Sequence, residues 1–300
     1  MNVATLSGAT RPYAVLGHPI RHTLSPNMHN AAFQALGRDA VYLAFDVAPE
    51  RLMQVLPAMA AMGFGGINLT VPLKEVAFRG LTDIDPLARQ LGAVNTVEIM
   101  PDGLKGHNTD GCGFLRAIAE AFDFNLAGRA LFVLGCGGAG RALAITSAAG
   151  GAARLMLADI DPARTQRLSD EIHALAPAVV VATAGSDPAA WPQASRTADL
   201  IVQATPVGMH SDDPSPLPSN AFRPGQCAMD LVYMRPETAF TRTAGAAGAR
   251  AVNGLGMLLH QGAESFRIWT GVTPPLAPMR AALEEAVYGP PAKSEVNSER

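Results

Sequence analysis

Arg129-Ala130-Leu131-Phe132-Val133-Leu134-Gly135-Cys136-Gly137-Gly138-Ala139-Gly140 is the stretch of this 300-residue chain that decides its fold. After Arg129 the first half, Ala130 to Leu134, is an unbroken apolar run, the pattern of a strand buried on both faces. The second half places glycine at Gly135, Gly137 and Gly140, and a helical run follows. Three glycines so spaced meet three needs of a strand–turn–helix unit that binds a dinucleotide. Gly135 permits the tight turn, Gly137 lets backbone approach a pyrophosphate, and Gly140 lets helix pack close to strand. The helix start, with Gly138 and Ala139, then turns free N–H groups and the positive end of its dipole towards phosphate oxygens. Such a fingerprint is completed about 20 residues later by an acid that binds the adenosine ribose hydroxyls. Asp159, at the end of the next apolar run, stands near that place. A purely structural glycine turn is the plainer alternative; the strand before it and the acid after it weigh against that.

On either side, short apolar runs alternate with stretches of helical spacing, the order of an α/β protein. Before the turn, strands are predicted at 13–16, 41–45 and 66–71, and a hairpin of 93–99 and 105–108 around Pro101-Asp102-Gly103. Helices are predicted at 26–36, 51–62 and 110–122, with Pro72 where a further helix can begin. After the turn come strands at 154–158, 179–181, 199–203, 226–231 and 250–252, and helices at 163–175, 238–247 and 257–270. The pattern predicts two domains with a cleft between them. Residues 1–109 form a substrate-binding and catalytic domain, completed by C-terminal helices within 256–288. Residues 110–255 form a Rossmann-type dinucleotide-binding domain. Residues 1–11 read as a loose lead, and the polar, Pro-rich residues 289–300 as a disordered tail.

Composition excludes several classes of function. A charged fraction of 16% and a net charge of −3 leave no electrostatic footprint for nucleic acid or acidic lipid. Three cysteines, Cys112, Cys136 and Cys227, form no disulfide framework and no metal-ligand spacing, so no metal is expected. No secretory leader and no long apolar span are legible. The expected setting is the cytoplasm, and the expected state a monomer or homodimer.

A nicotinamide enzyme that reduces a ketone needs a proton donor for the nascent alkoxide and positive charge beside it. Lys74 lies at a strand-to-helix turn and Asp110 at the start of a long helix where the domains meet. Clefts between domains are favoured ligand sites, and a lysine facing a carboxylate there can hold a proton. From spacing alone, an exposed lysine and a helix-capping aspartate explain the same residues.

Six ordered motifs outweigh that plainer reading. They are Gly17-His18-Pro19-Ile20-x-His22-Thr23-Leu24-Ser25-Pro26-x-Met28-His29; Asn68-Leu69-Thr70-Val71-Pro72-x-Lys74; Gly92-Ala93-Val94-Asn95-Thr96; Gly106-His107-Asn108-Thr109-Asp110-Gly111; Ala204-Thr205-Pro206-x-Gly208-Met209; and Gly254-Leu255-Gly256-Met257-Leu258-x-His260-Gln261. Together they resemble the shikimate dehydrogenase family from about Tyr13 to Leu283. The resemblance implies an NAD(P)-dependent dehydrogenase that reversibly reduces 3-dehydroshikimate to shikimate. It implies Lys74 and Asp110 as the catalytic pair, with Lys74 relaying the proton. Thr23 and Ser25 would bind the substrate carboxylate, and Thr70, Asn95, Asp110 and Gln261 its hydroxyls. Tyr233 would close over the substrate. Thr205, Pro206 and Gly208 would lie beneath the nicotinamide, with Gly254 and Met257 near it. The histidines are read as structural.

Two departures bear on specificity. NADP-preferring members carry an Asn-Arg-Thr type sequence where this chain has Asp159-Ile160-Asp161. A carboxylate at 159 accepts from a ribose hydroxyl and repels a 2′-phosphate, and Arg164 is the close cation on the following helix, so NAD is favoured over NADP. The carboxylate-binding pair is Thr23-x-Ser25 in place of the usual Ser-x-Ser, which leaves quinate or another hydroxy-ring acid as an alternative substrate. A sensor of ring acids without turnover is the alternative of another class; retention of both Lys74 and Asp110 argues against it.

Overall fold

A computed structural model describes residues 6–289. The start of the expected lead and residues 290–300 of the expected tail lie outside the described residues. Strands β1 (Arg11–Gly17), β2 (Ala40–Asp46), β3 (Ile67–Leu69), β4 (Asp83–Ile84), β5 (Thr96–Met100) and β6 (Gly103–His107) form one mixed sheet in the order β2-β1-β3-β5-β6-β4. Strands β7 (Ala130–Leu134), β8 (Arg154–Ala158), β9 (Val180–Thr183), β10 (Leu200–Gln203), β11 (Cys227–Asp230) and β12 (Arg250–Val252) form a second sheet in the order β12-β11-β10-β7-β8-β9. All neighbours in the second sheet are parallel. Its strand order reverses between β7 and β10, the switch point at which open α/β sheets bind ligands.

The helices are α1 (Ser25–Ala35), α2 (Leu52–Ala61), α3 (Leu73–Gly80), α4 (Pro86–Leu91), α5 (Asp110–Phe122), α6 (Gly138–Ala149), α7 (Pro162–Leu175), α8 (Trp191–Ser195), α9 (Ala239–Ala246), α10 (Leu255–Thr270) and α11 (Leu276–Tyr288). Their sequences explain where they start and what they bury. Asp85 caps α4 by accepting from the Leu87 and Ala88 N–H groups, with Pro86 next and left-handed Gly92 closing the helix. α5 buries Phe114, Ala117, Ile118 and Phe122, a stripe at helical spacing. β7 is buried from Leu131 to Leu134 because helices cover both faces of the sheet. The helices α5 and α10 make the most extensive helix–helix contact in the molecule. Two glycines permit close approaches on α5. A Cβ on Gly113 would lie 2.7 Å from Gln261 Cβ, and one on Gly111 would lie 2.5 Å from Thr146 Oγ1 of α6.

Several expected elements shift. The strand read at 66–71 contracts to Ile67–Leu69, because Leu73 N–H bonds back to Thr70 O and turns the chain. The helix read from 257 begins at Leu255. The hairpin arms move to Thr96–Met100 and Gly103–His107. β4, α4 and α8 are additional. No helix among the described residues is long and apolar enough to cross a membrane.

Candidate active site

Lys74 sits on the first turn of α3, and Asp110 is the first residue of α5. Lys74 Nζ donates to Asp110 Oδ2 at 2.7 Å, and the two side chains are only 26% and 12% exposed. The second carboxylate oxygen of Asp110 accepts from Asn95 Nδ2 at 2.9 Å. Asn95 is itself buried and locked, accepting from Thr109 N–H at 2.9 Å. Its amide also donates to Thr109 Oγ1 at 2.9 Å and, at 3.4 Å, to Gln261 Oε1 on α10. Four expected site residues, three from the helices α3, α5 and α10 and one, Asn95, from the connection between α4 and β5, thus meet in one hydrogen-bonded cluster. Behind it, Asn68 Nδ2 reaches Thr96 Oγ1 and Ser265 Oγ at 3.1 and 3.0 Å. Asn68, Thr109 and Ser265 had no role assigned from sequence. The first two stood inside the quoted motifs; Ser265 had no local signal.

Thr23 and Ser25 pair with one another, with 3.3 Å between their hydroxyl oxygens, and make no hydrogen bond to the Lys74 cluster. Thr70 packs its methyl group where a Cβ on Gly17 would come within 2.6 Å of it. Tyr233 is half-buried against the apolar cluster that holds Met28 and Leu255, and burial pushes its phenol up. The histidines engage elsewhere: His18 with Asp46, His107 with Glu98, and His260 with Glu120. His29 is wholly buried without a hydrogen-bond partner, and burial lowers it to about 3.

The glycine turn meets the steric needs of a dinucleotide. Gly135 has φ +94°, and a Cβ there would lie 2.9 Å from Ala204 O and 2.8 Å from the Thr205 methyl carbon. A Cβ on Gly140 would fall 1.8 Å from Gly135 O, so only glycine lets α6 sit this close. A Cβ on Gly137 or Gly138 would meet nothing within 4 Å, and the α6 N-terminus has no side-chain cap. Burial pushes the thiol of Cys136, in this turn, up to about 12.

Asp159 does not cap α7; Asp161 does, through Ala163 N–H at 2.9 Å. Asp159 is buried and accepts from Cys136 N–H at 2.7 Å and Asp161 N–H at 2.9 Å. A carboxylate has about four acceptor sites, and two of these are unfilled among the described residues. A cavity of about 410 Å³ opens beside the turn, lined by Glu75, Gly137, Gly138, Arg141, Arg164 and Arg167 among others. Arg164 lies 3.9 Å from Asp159 and 3.5 Å from Asp161. Sequence reading named Arg164 as the close cation, but Arg141 and Arg167 also line the space. Arg141 is paired with Glu171 at 2.7 Å and reaches Leu91 O, whereas Arg167 forms no ion pair among the described residues. Gly254 leaves no room for a Cβ beside Leu231 O, and Met257 packs half-buried on the core beneath the second sheet. Thr205 and Gly208 lie in the loop after β10, beside Gly135 and Asp230 respectively, with exposed Pro206 between them.

Residues 15–97 match the family model of the shikimate dehydrogenase substrate binding domain, and residues 254–284 that of the shikimate 5′-dehydrogenase C-terminal domain. A shikimate dehydrogenase (NADP(+)) of Moorella thermoacetica is 45% identical, over 94% of this chain and 95% of that protein. The chain belongs to the shikimate dehydrogenase family. Among solved structures of the family, a shikimate 5-dehydrogenase from Listeria monocytogenes in complex with shikimate and NAD superposes with a TM-score of 0.84. It is 32% identical, with 93% of this chain and 98% of that one covered. Quinate dehydrogenase from Corynebacterium glutamicum in complex with NAD gives 0.83 at 32% identity, covering 91% and 98%. The two-sheet α/β architecture is therefore that of shikimate dehydrogenases, and the nicotinamide cofactors seen with these relatives include both NAD and NADP+.

Proposed function

We propose that this protein catalyses the reversible reduction of 3-dehydroshikimate to shikimate with a nicotinamide dinucleotide. The observation that carries the reading is the 2.7 Å Lys74–Asp110 pair, whose second carboxylate oxygen is held by Asn95. The dinucleotide, when bound, supplies or accepts the hydride. The chain's own residues handle the proton and the orientation. Lys74 donates a proton to the alkoxide oxygen on reduction and accepts it on oxidation, and Asp110 fixes the ammonium and hydrogen-bonds the reacting hydroxyl. Gln261, bonded to Asn95 through its carbonyl oxygen, keeps an amide N–H for a ring hydroxyl, while Asn95, its own amide fully engaged, orients Asp110 for the same ring. Thr23 and Ser25 offer hydroxyl donors to the substrate carboxylate. In this reading residues 1–109 with the C-terminal helices hold the ring acid, and residues 110–255 the dinucleotide.

Lys74→Ala tests it. The variant should lose about 100-fold or more in kcat, the usual weight of one acid–base group, while its dinucleotide affinity stays within about twofold. Near-normal turnover would remove lysine from the mechanism.

NAD is the favoured coenzyme in this reading, and quinate a competing substrate. Asp159 and Asp161 flank Arg164, so this cation faces two carboxylates before any 2′-phosphate arrives. Arg167 is the observation on the side of NADP. Steady-state kinetics of shikimate and quinate, each with NAD and with NADP, separates the readings. Absence of coenzyme reduction with every pair would favour a ring-acid sensor.

A further inference from the structure

The loop after β10 is built around one buried side chain. Gln203 has no solvent exposure. Its Nε2 donates to Val207 O at 2.7 Å and Thr205 O at 3.2 Å, and its Oε1 accepts from Thr205 N–H at 2.6 Å. Nε2 also faces Asp230 Oδ1 at 3.5 Å. The amide cannot be flipped, since that would turn its oxygen on two carbonyls and a carboxylate.

Asp230 extends the network to the next strand end. It is fully buried, accepting from Thr238 Oγ1 at 2.6 Å and from Val232 N–H at 3.0 Å. Val232 precedes Tyr233. Directly above the carboxylate, a Cβ on Gly208 would lie 3.7 Å from Asp230 Oδ2, and Gly208 has φ +104°. On the loop's other side, Thr205 packs on Gly135 of the glycine turn. The 205–208 loop therefore spans from the dinucleotide turn to the segment that carries Tyr233. Its height is fixed from below by two polar side chains at the carboxyl ends of adjacent strands.

We propose that Gln203, braced by Asp230, is a positioning residue that sets where the nicotinamide ring stands against the 205–208 loop and registers it with the Tyr233 side of the substrate pocket. This rests on the reading that the loop lies beneath the nicotinamide. A displacement of about 1 Å in a reacting group can cost about 100-fold in rate, so a residue that touches neither reactant can govern turnover through the loop.

The test compares two ligands on three variants. NAD⁺ and ADP-ribose share the adenosine and pyrophosphate, and only the first carries the nicotinamide. Their affinities are measured by calorimetry on the wild-type protein, Gln203→Leu, Gln203→Asn and Gly208→Ala, with kcat for shikimate oxidation. Gln203→Leu should weaken NAD⁺ and lower kcat by about tenfold or more, while ADP-ribose binds within about twofold of wild type. Gln203→Asn, which keeps an amide one methylene short, should lie between, and it decides the matter if the leucine variant does not fold. ADP-ribose affinity shows that the dinucleotide site is intact in each. Equal losses for both ligands in the folded Gln203 variants, or none for either, overturn the positioning role. If Gly208→Ala alone discriminates between the ligands, the loop reading stands and the role of Gln203 falls. If Gly208→Ala also leaves both ligands bound as in wild type, the loop reading falls with it.

Discussion

His29 makes the stability of this protein fall on mild acidification, by an amount that the structure sets. Its ring stacks on Tyr42, with centroids 4.3 Å apart, and lies 5.6 Å from that of Trp269. Neither ring nitrogen has a partner, and burial lowers the group from 6.5 to about 3. The folded protein therefore keeps His29 neutral, while the unfolded chain protonates it below about 6.5. A lowered value of this kind contributes stability that is whole above pH 6.5 and is lost as pH falls towards 3. Each pH unit in that window costs about 1.4 kcal/mol, so a drop from pH 7.5 to 5.0 should cost about 2 kcal/mol through this residue alone. Urea unfolding at the two pH values, followed by tryptophan fluorescence, measures the loss for the wild-type protein and for His29→Phe. The variant should lose about 2 kcal/mol less. Any packing cost of the larger ring is common to both pH values and cancels. Asp230 works in the opposite sense, since burial raises it to about 6 and its contribution is lost as pH rises through that value. It acts equally in both proteins and leaves the difference untouched. An identical pH response in the two proteins would refute the assignment of a neutral, unsolvated imidazole at position 29.

Three further outcomes bear on the site. Asp159→Ser should raise kcat/KM for NADP about tenfold or more relative to NAD by removing a like charge, and Arg167→Ala should lower whatever NADP activity remains; an unchanged ratio in both would sink the electrostatic account of coenzyme choice. Gly140→Ala places a methyl carbon 1.8 Å from Gly135 O, so the turn must shift, and dinucleotide binding titrated calorimetrically should be lost or weakened at least about 100-fold. Asn95→Ala releases Asp110 Oδ1 and Thr109 N–H together, and should lower kcat about tenfold beyond any change in KM; an effect on KM alone would confine Asn95 to substrate binding.

What was legible in the sequence was local. The glycine turn, the strand β8 and the helix α5 follow from glycine placement, apolar runs and 3.6-residue spacing, which act between residues close in the chain. Pieces too short to carry a period were not legible. The two residues of β4 and the five of α8 hold their conformation through neighbours rather than propensity. Sequence placed Asp159 near the ribose-binding position without its contacts; the fold turns its carboxylate onto the Cys136 amide and gives the cap of α7 to Asp161. Gln203 and Asp230 passed as ordinary strand ends, because the carbonyls and hydroxyl that give them work lie on separate loops. Ser265 meets Asn68 across 197 positions of chain. The sequence by itself determined the longer elements, the glycine-rich turn and the types of residue able to do the chemistry. Only the tertiary structure decided which of them touch, because a hydrogen bond needs its partners within about 3 Å, and chain spacing carries no such distance.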